Sequence, residues 1–137
     1  MHRGGWFMRT FPALWAHILD GMRSQPGSGG DAGGALNVRC VELHHYATGG
    51  HLLQPKHRDN GSALTISVML SDPASTSGGA FVTYDEGAPV VHALGHGDAI
   101  LFHSEKLHNV CTVTSGVRQA LVVELWEAPA NSSDRFR

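Results

Sequence analysis

Residues 103–126 read HSEKLHNVCTVTSGVRQALVVELW. Two apolar, β-branched runs, 108–113 and 117–126, are separated by the turn signal Thr114-Ser115-Gly116, the pattern of two strands meeting at a tight turn. Working outward, the same rhythm holds from Leu36 onward: strands are expected at 37–47, 51–56, 63–70, 80–84, 89–93 and 98–103 as well. They are punctuated by DNGS at 59–62, SGG at 77–79, DEGAP at 85–89 and GHGD at 95–98. About eight short strands with no helix between them predict a mainly β fold, a double-sheet jelly roll, and not a parallel α/β architecture.

The boundaries follow from composition. Residues 36–128 form the expected jelly-roll core and 129–137 a C-terminal tail. Residues 24–35 read as a Gly-rich connector, since SQPGSGGDAGG at 24–34 holds five glycines and one proline without apolar periodicity. Residues 1–23 read as a helical segment: Pro12 suits a first turn, and Leu14, Trp15, Ile18, Leu19 and Met22 fall on one helical stripe.

A chain of 137 residues suits one domain with a real core. A formal charge of −2, a pI near 6.5 and no Lys/Arg run leave nothing to grip phosphates, so nucleic acid is not an expected partner. No apolar run reaches the roughly 18 residues of a membrane span. Cys40 and Cys111 each sit inside an apolar strand-like run and read as small core residues in a reducing compartment, so the expected location is cytoplasmic. The N-terminal stretch, basic at first and free of acids until Asp20, leaves organellar targeting open.

Chemistry is suggested first by QPKHRDNGS, residues 54–62. In extended backbone His57 and Asp59 project to one side and Arg58 to the other. An imidazole and a carboxylate on one side can share a cation, and two His plus one carboxylate is the facial set of non-haem iron oxygenases. With ten histidines in the chain, the pair taken alone reads more readily as a solvated turn than as a metal site. Downstream, His108 opens an apolar strand and Arg118 stands near the start of the last one. A buried arginine needs an anion, and no neighbouring carboxylate in the sequence offers one; a ligand carboxylate would.

Together these residues carry a resemblance. Tyr46-Ala47-Thr48-Gly49, His57-Arg58-Asp59, Gly78-Gly79-Ala80-Phe81, Gly97-Asp98-Ala99-Ile100-Leu101-Phe102, and His108 with Arg118 occur in the order seen in Fe(II)/2-oxoglutarate-dependent dioxygenases. From about Val38 to Trp126 the chain resembles the double-stranded β-helix core of that family, in its prolyl 4-hydroxylase-like branch. The resemblance implies His57, Asp59 and His108 as iron ligands, Arg118 on the far carboxylate of 2-oxoglutarate, and Tyr46 as a hydrogen-bonding partner of that cosubstrate. It implies Fe(II), 2-oxoglutarate and O2 as cofactors, with ascorbate as an optional reductant. The implied reaction is hydroxylation of a C–H bond in a protein, peptidyl proline first, or in a small molecule, with succinate and CO2 as co-products.

Other residues read more plainly. His103, at the end of a strand, competes with His108 for the third ligand position but suits a surface or outer position better. His44 shares the Tyr46 side of its strand and reads as an ordinary strand residue, with a ligand contact as its alternative. His51, His92 and His96 read as exposed turn residues, Trp126 as core, Asp98 as a turn former, and Glu105 and Lys106 as a solvated loop. Two departures from the family pattern stand out: ten residues separate Tyr46 from His57, and one helix precedes the core where several are usual. A minimal, truncated or fragmentary member is implied. Two alternatives belong to other classes, a cupin-like metalloenzyme without 2-oxoglutarate, opposed by Arg118, and a catalytically silent binding module, opposed by the intact triad. Substrate identity and oligomeric state have no signature in the sequence.

Overall fold

In a computed structural model, residues 1, 3–25 and 35–131 are described; the centre of the expected connector and the end of the tail lie outside them. Two helices, α1 (Trp6–Thr10) and α2 (Pro12–Arg23), precede nine strands. The strands are β1 (Asn37–Ala47), β2 (Leu64–Met69), β3 (Ser77–Gly78), β4 (Phe81–Asp85), β5 (Ala88–His92), β6 (Ala99–His103), β7 (His108–Val110), β8 (Val113–Ser115) and β9 (Val117–Trp126). They form a four-stranded antiparallel sheet in the order β1-β9-β2-β6, a three-stranded sheet β5-β4-β7, and a short β3-β8 pair. Residues of the two larger sheets line one cavity, as in a jelly roll.

The large sheet is buried on both sides, and strand alternation gives the sides different chemistry. Val41, Leu64, Ile66, Leu121, Val123 and Leu125 face α1 and α2, packing against Phe7, Ile18 and Met22. The α2 stripe therefore behaves as its periodicity predicts, except that Leu14 is exposed. The helical segment is also split, because Phe11 leaves the helical region at φ −128°. On the opposite side of the same sheet stand Tyr46, Thr65, Ser67, Arg118 and Val122, all lining the cavity between the sheets.

Two strand expectations change. Residues 51–56 form no strand: Leu52 exchanges a single bridge with Val110, and Pro55, with no N–H to give, cannot extend a ladder. The run 108–113 breaks in two. Cys111 N–H donates to Ala80 O, and Thr112 O accepts from Gly79 N–H, so the chain steps from β4 onto the glycine turn and continues as β8 against β3. Between β4 and β5 the DEGAP signal closes a two-residue hairpin in which both central residues, Glu86 (φ 50°) and Gly87 (φ 86°), are left-handed, as a type I′ turn requires. Cys40 is buried and Cys111 half-buried. No helix among the described residues is long and apolar enough to cross a membrane.

Candidate metal centre

His57 and Asp59 sit in the loop entering β2, and His108 opens β7. Backbone hydrogen bonds hold these segments together: Asp59 N–H donates to Ser104 O at 2.9 Å and His108 N–H to His57 O at 3.3 Å. One ligand atom from each of His57, Asp59 and His108 lies within 4.8 Å of the other two, the one such cluster among the described residues. His57 Nε2 is 3.4 Å from Asp59 Oδ1 and His108 Nε2 is 3.7 Å from Asp59 Oδ2. Arg58 is exposed, points away and donates to Glu105 O. His103 is exposed and stands outside the cluster.

Each imidazole has its other nitrogen engaged. His108 Nδ1–H donates to Lys106 O at 2.9 Å, which leaves the Nε2 lone pair facing Asp59. The ring lies against Phe102 (centroids 4.8 Å apart) and stacks on Phe81 (5.6 Å). That burial pushes the His108 pKa below the ordinary histidine value, outweighing the Lys106 carbonyl and Asp59, which act the other way. A neutral imidazole is the form a metal binds. His57 Nδ1 lies 3.3 Å from Gln54 Oε1. The Gln54 carbonyl accepts from Asn109 Nδ2 at 3.0 Å, and Asn109 Oδ1 accepts from the Tyr84 hydroxyl at 2.8 Å. Two imidazoles beside a carboxylate suit Fe(II), so the donor set fits the metal implied by the sequence.

Arg118 and Tyr46 face one another across β9 and β1 in the wall of the same cavity. Arg118 is 2% exposed, and its Nε and Nη2 have no hydrogen-bond partner. Its guanidinium lies over the Tyr46 ring at 5.8 Å. Burial pushes the Arg118 pKa down, yet a guanidinium remains charged at neutral pH. The Tyr46 pKa is raised, first by burial, against the opposing pull of Arg118 and with smaller pushes from Asp59 and Glu42, so its phenol keeps its proton. Tyr46 Oη is 3.4 Å from His44 Nδ1, and His44 Nε2 is 3.1 Å from Glu42 Oε2. His44 thus belongs to the cavity wall and touches Tyr46. A buried cation with two free donors beside three convergent metal ligands fits a small dicarboxylate such as 2-oxoglutarate.

The comparisons agree with this geometry. No family model matches the chain. It is 40% identical over 74 residues to a PKHD-type hydroxylase of Psychrobacter sp. (strain PRwf-1), a stretch that is 54% of this chain and 28% of the relative. To a PKHD-type hydroxylase of Caulobacter sp. (strain K31) it is 44% identical over 57 residues, 42% of this chain and 25% of the relative. The match thus spans only about a quarter of the length of these curated relatives. Among solved structures, a 2OG-Fe(II) oxygenase family oxidoreductase from Burkholderia pseudomallei superposes with a TM-score of 0.61 at 22% identity, covering 71% of this chain and 48% of that one. A prolyl hydroxylase from Trichoplax adhaerens, in complex with a hypoxia inducible factor oxygen degradation domain peptide fragment, gives 0.61 at 18% identity, covering 85% and 56%. The fold is that of the 2OG-Fe(II) oxygenases. The family resemblance read in the sequence agrees with what these relatives and structures are called.

Some residues of the cavity and its surroundings escaped sequence reading. Thr65 and Ser67 were legible in principle, because LTISVM alternates apolar with hydroxyl residues and so marks a strand with a polar buried face. Gln54 and Ser104 carry no local signal. His92 is half-buried in β5 and lies 2.8 Å from Thr83 Oγ1, not in an exposed turn as its flanks suggested.

Proposed function

We propose that the protein is an Fe(II)- and 2-oxoglutarate-dependent hydroxylase, with His57, Asp59 and His108 holding the iron. The observation that carries this reading is Arg118: a cation 2% exposed, with two unpaired nitrogens, in the cavity lined by the triad. Arg118 receives the far carboxylate of 2-oxoglutarate in bidentate fashion, and Tyr46, as a protonated phenol, donates a second hydrogen bond to the cosubstrate. Bound iron, with 2-oxoglutarate and O2, supplies an oxidation that no side chain can perform, converting R–H, 2-oxoglutarate and O2 to R–OH, succinate and CO2. Phe81, Phe102, Leu52 and Val110 make the cavity wall apolar and exclude water from the reacting groups. A peptide is the proposed substrate class, supported by the likeness to the Trichoplax adhaerens prolyl hydroxylase, which was solved with one.

Anaerobic addition of Fe(II) and then 2-oxoglutarate tests this. A weak visible charge-transfer band is expected, followed by succinate once O2 is admitted, with ascorbate included to keep iron reduced. Folded protein that yields neither band nor succinate overturns the proposal.

A further inference from the structure

Asp59 is 5% exposed and carries a hydrogen-bonded tail that leads away from the proposed iron position. Thr65 Oγ1 donates to Asp59 Oδ2 at 2.8 Å, and Ser104 Oγ lies 2.9 Å from Thr65 Oγ1. The proton directions follow from chemistry. A carboxylate only accepts, so the single Thr65 hydroxyl proton points at Asp59; Thr65 oxygen must then accept, and Ser104 is the donor. Thr65 is 1% exposed and Ser104 is 0% exposed, so water does not compete for either bond. Ser104 also takes the Asp59 N–H on its own carbonyl. One residue therefore steadies both the main chain and, through Thr65, the side chain of Asp59.

We infer that Thr65 and Ser104 are positioning residues that hold Asp59 as a one-oxygen metal ligand, with Oδ2 occupied by the Thr65 hydroxyl and Oδ1 left for the ion. Each oxygen has a triad imidazole near it, Oδ1 with His57 Nε2 at 3.4 Å and Oδ2 with His108 Nε2 at 3.7 Å, but Oδ2 already accepts the Thr65 proton at 2.8 Å, which leaves Oδ1 as the oxygen without a donor on it. Both oxygens on the metal would take a coordination position that substrate or O2 needs, so the hydroxyl pair protects the open side of the centre. The inference rests on the proposed metal site.

Co(II), whose visible absorption reports coordination number and geometry, is the probe, titrated into the full chain and into three variants. Thr65→Val keeps the shape of the side chain and removes the hydroxyl; it is expected to weaken Co(II) binding about 10–100-fold, the usual effect of losing an outer partner of a ligand, and to change the band pattern. Thr65→Ser should restore both affinity and spectrum. Ser104→Ala should give a smaller loss of affinity with the same spectral change, because Thr65 can still donate to Asp59 but is no longer steered. A Thr65→Val protein that folds and shows wild-type affinity and spectrum overturns the inference alone. Failure of the wild-type protein to bind Co(II) through His57, Asp59 and His108 overturns the metal site and the inference together.

Discussion

Leaving two guanidinium nitrogens of Arg118 buried and unpaired costs the fold about 1–3 kcal/mol by the usual desolvation penalty of an unsatisfied group. Replacing it by methionine, similar in length and apolar, should therefore stabilise the ligand-free protein by an amount in that range while removing the proposed cosubstrate contact. Thermal unfolding with and without 2-oxoglutarate checks both halves: the wild-type midpoint rises with the ligand, whereas Arg118→Met starts higher and does not respond. A destabilised variant that still responds to 2-oxoglutarate defeats the assignment. Co(II) affinity should be nearly unchanged, since Arg118 is not in the metal cluster.

His108 makes a second residue-scale prediction, concerning pH. Burial lowers its pKa in the folded protein, so as pH falls through about 6.5 the unfolded histidine takes up a proton before the native one does. In that window the unfolded state binds more protons, and stability falls with falling pH until the native imidazole titrates too, below which the contribution is constant. Urea unfolding of the metal-free protein should show this decline below about pH 6.5, and His108→Asn should remove part of it. The same imidazole must be neutral to bind a metal, so metal affinity should weaken on the acid side once it takes up a proton, which burial delays to below the ordinary histidine range, visible as an acid limb in Co(II) titrations.

At the scale of elements, the glycine pair before β4 does more than kink the ladder that runs from β3 and β8 into β4 and β7. A Cβ on Gly78 would sit 2.2 Å from Thr112 O, a backbone atom that cannot yield, and one on Gly79 would meet the Arg118 stem at 3.0 Å. Both residues have positive φ, 72° and 67°. Gly78→Ala should therefore destabilise the whole domain. Gly79→Ala should weaken 2-oxoglutarate binding more than metal binding, because the atom it displaces belongs to Arg118; equal losses of both would show only a damaged fold. These two glycines were legible in the sequence as a turn and, by resemblance, as a family feature, but their bearing on Arg118 was not. Legibility elsewhere followed the same physical divide. Long runs such as 37–47 and 117–126 were bounded correctly because each is an extended stretch rich in β-branched and apolar residues that is flanked by turn residues. The segments 51–56 and 108–113 were misjudged because their partners are chosen by tertiary contacts with Val110, Ala80 and Gly79, which no local pattern reveals. The triad and Arg118 were found because their spacing matches a known family; Thr65 and Ser104, which act through Asp59, have no comparable spacing to betray them.

At the scale of the whole molecule, the two faces of the β1-β9-β2-β6 sheet divide folding from chemistry. Met22 is 0% exposed and Ile18 6%, and both pack on the face opposite the cavity. Truncating Met22 to alanine should cost about 2–5 kcal/mol, the usual price of an unfilled core site, read from urea denaturation. The atoms removed touch the helical layer and not the cavity, and the strands between keep their hydrogen bonds, so at a temperature where the variant remains folded its Co(II) affinity and spectrum should equal those of the wild type. The opposite pattern is expected of Thr65→Val, which sits on the same sheet one residue from Leu64 but points the other way. If Met22→Ala instead changed the Co(II) spectrum, the sheet would be transmitting strain from helix face to cavity, and the separation of the two faces would have to be given up.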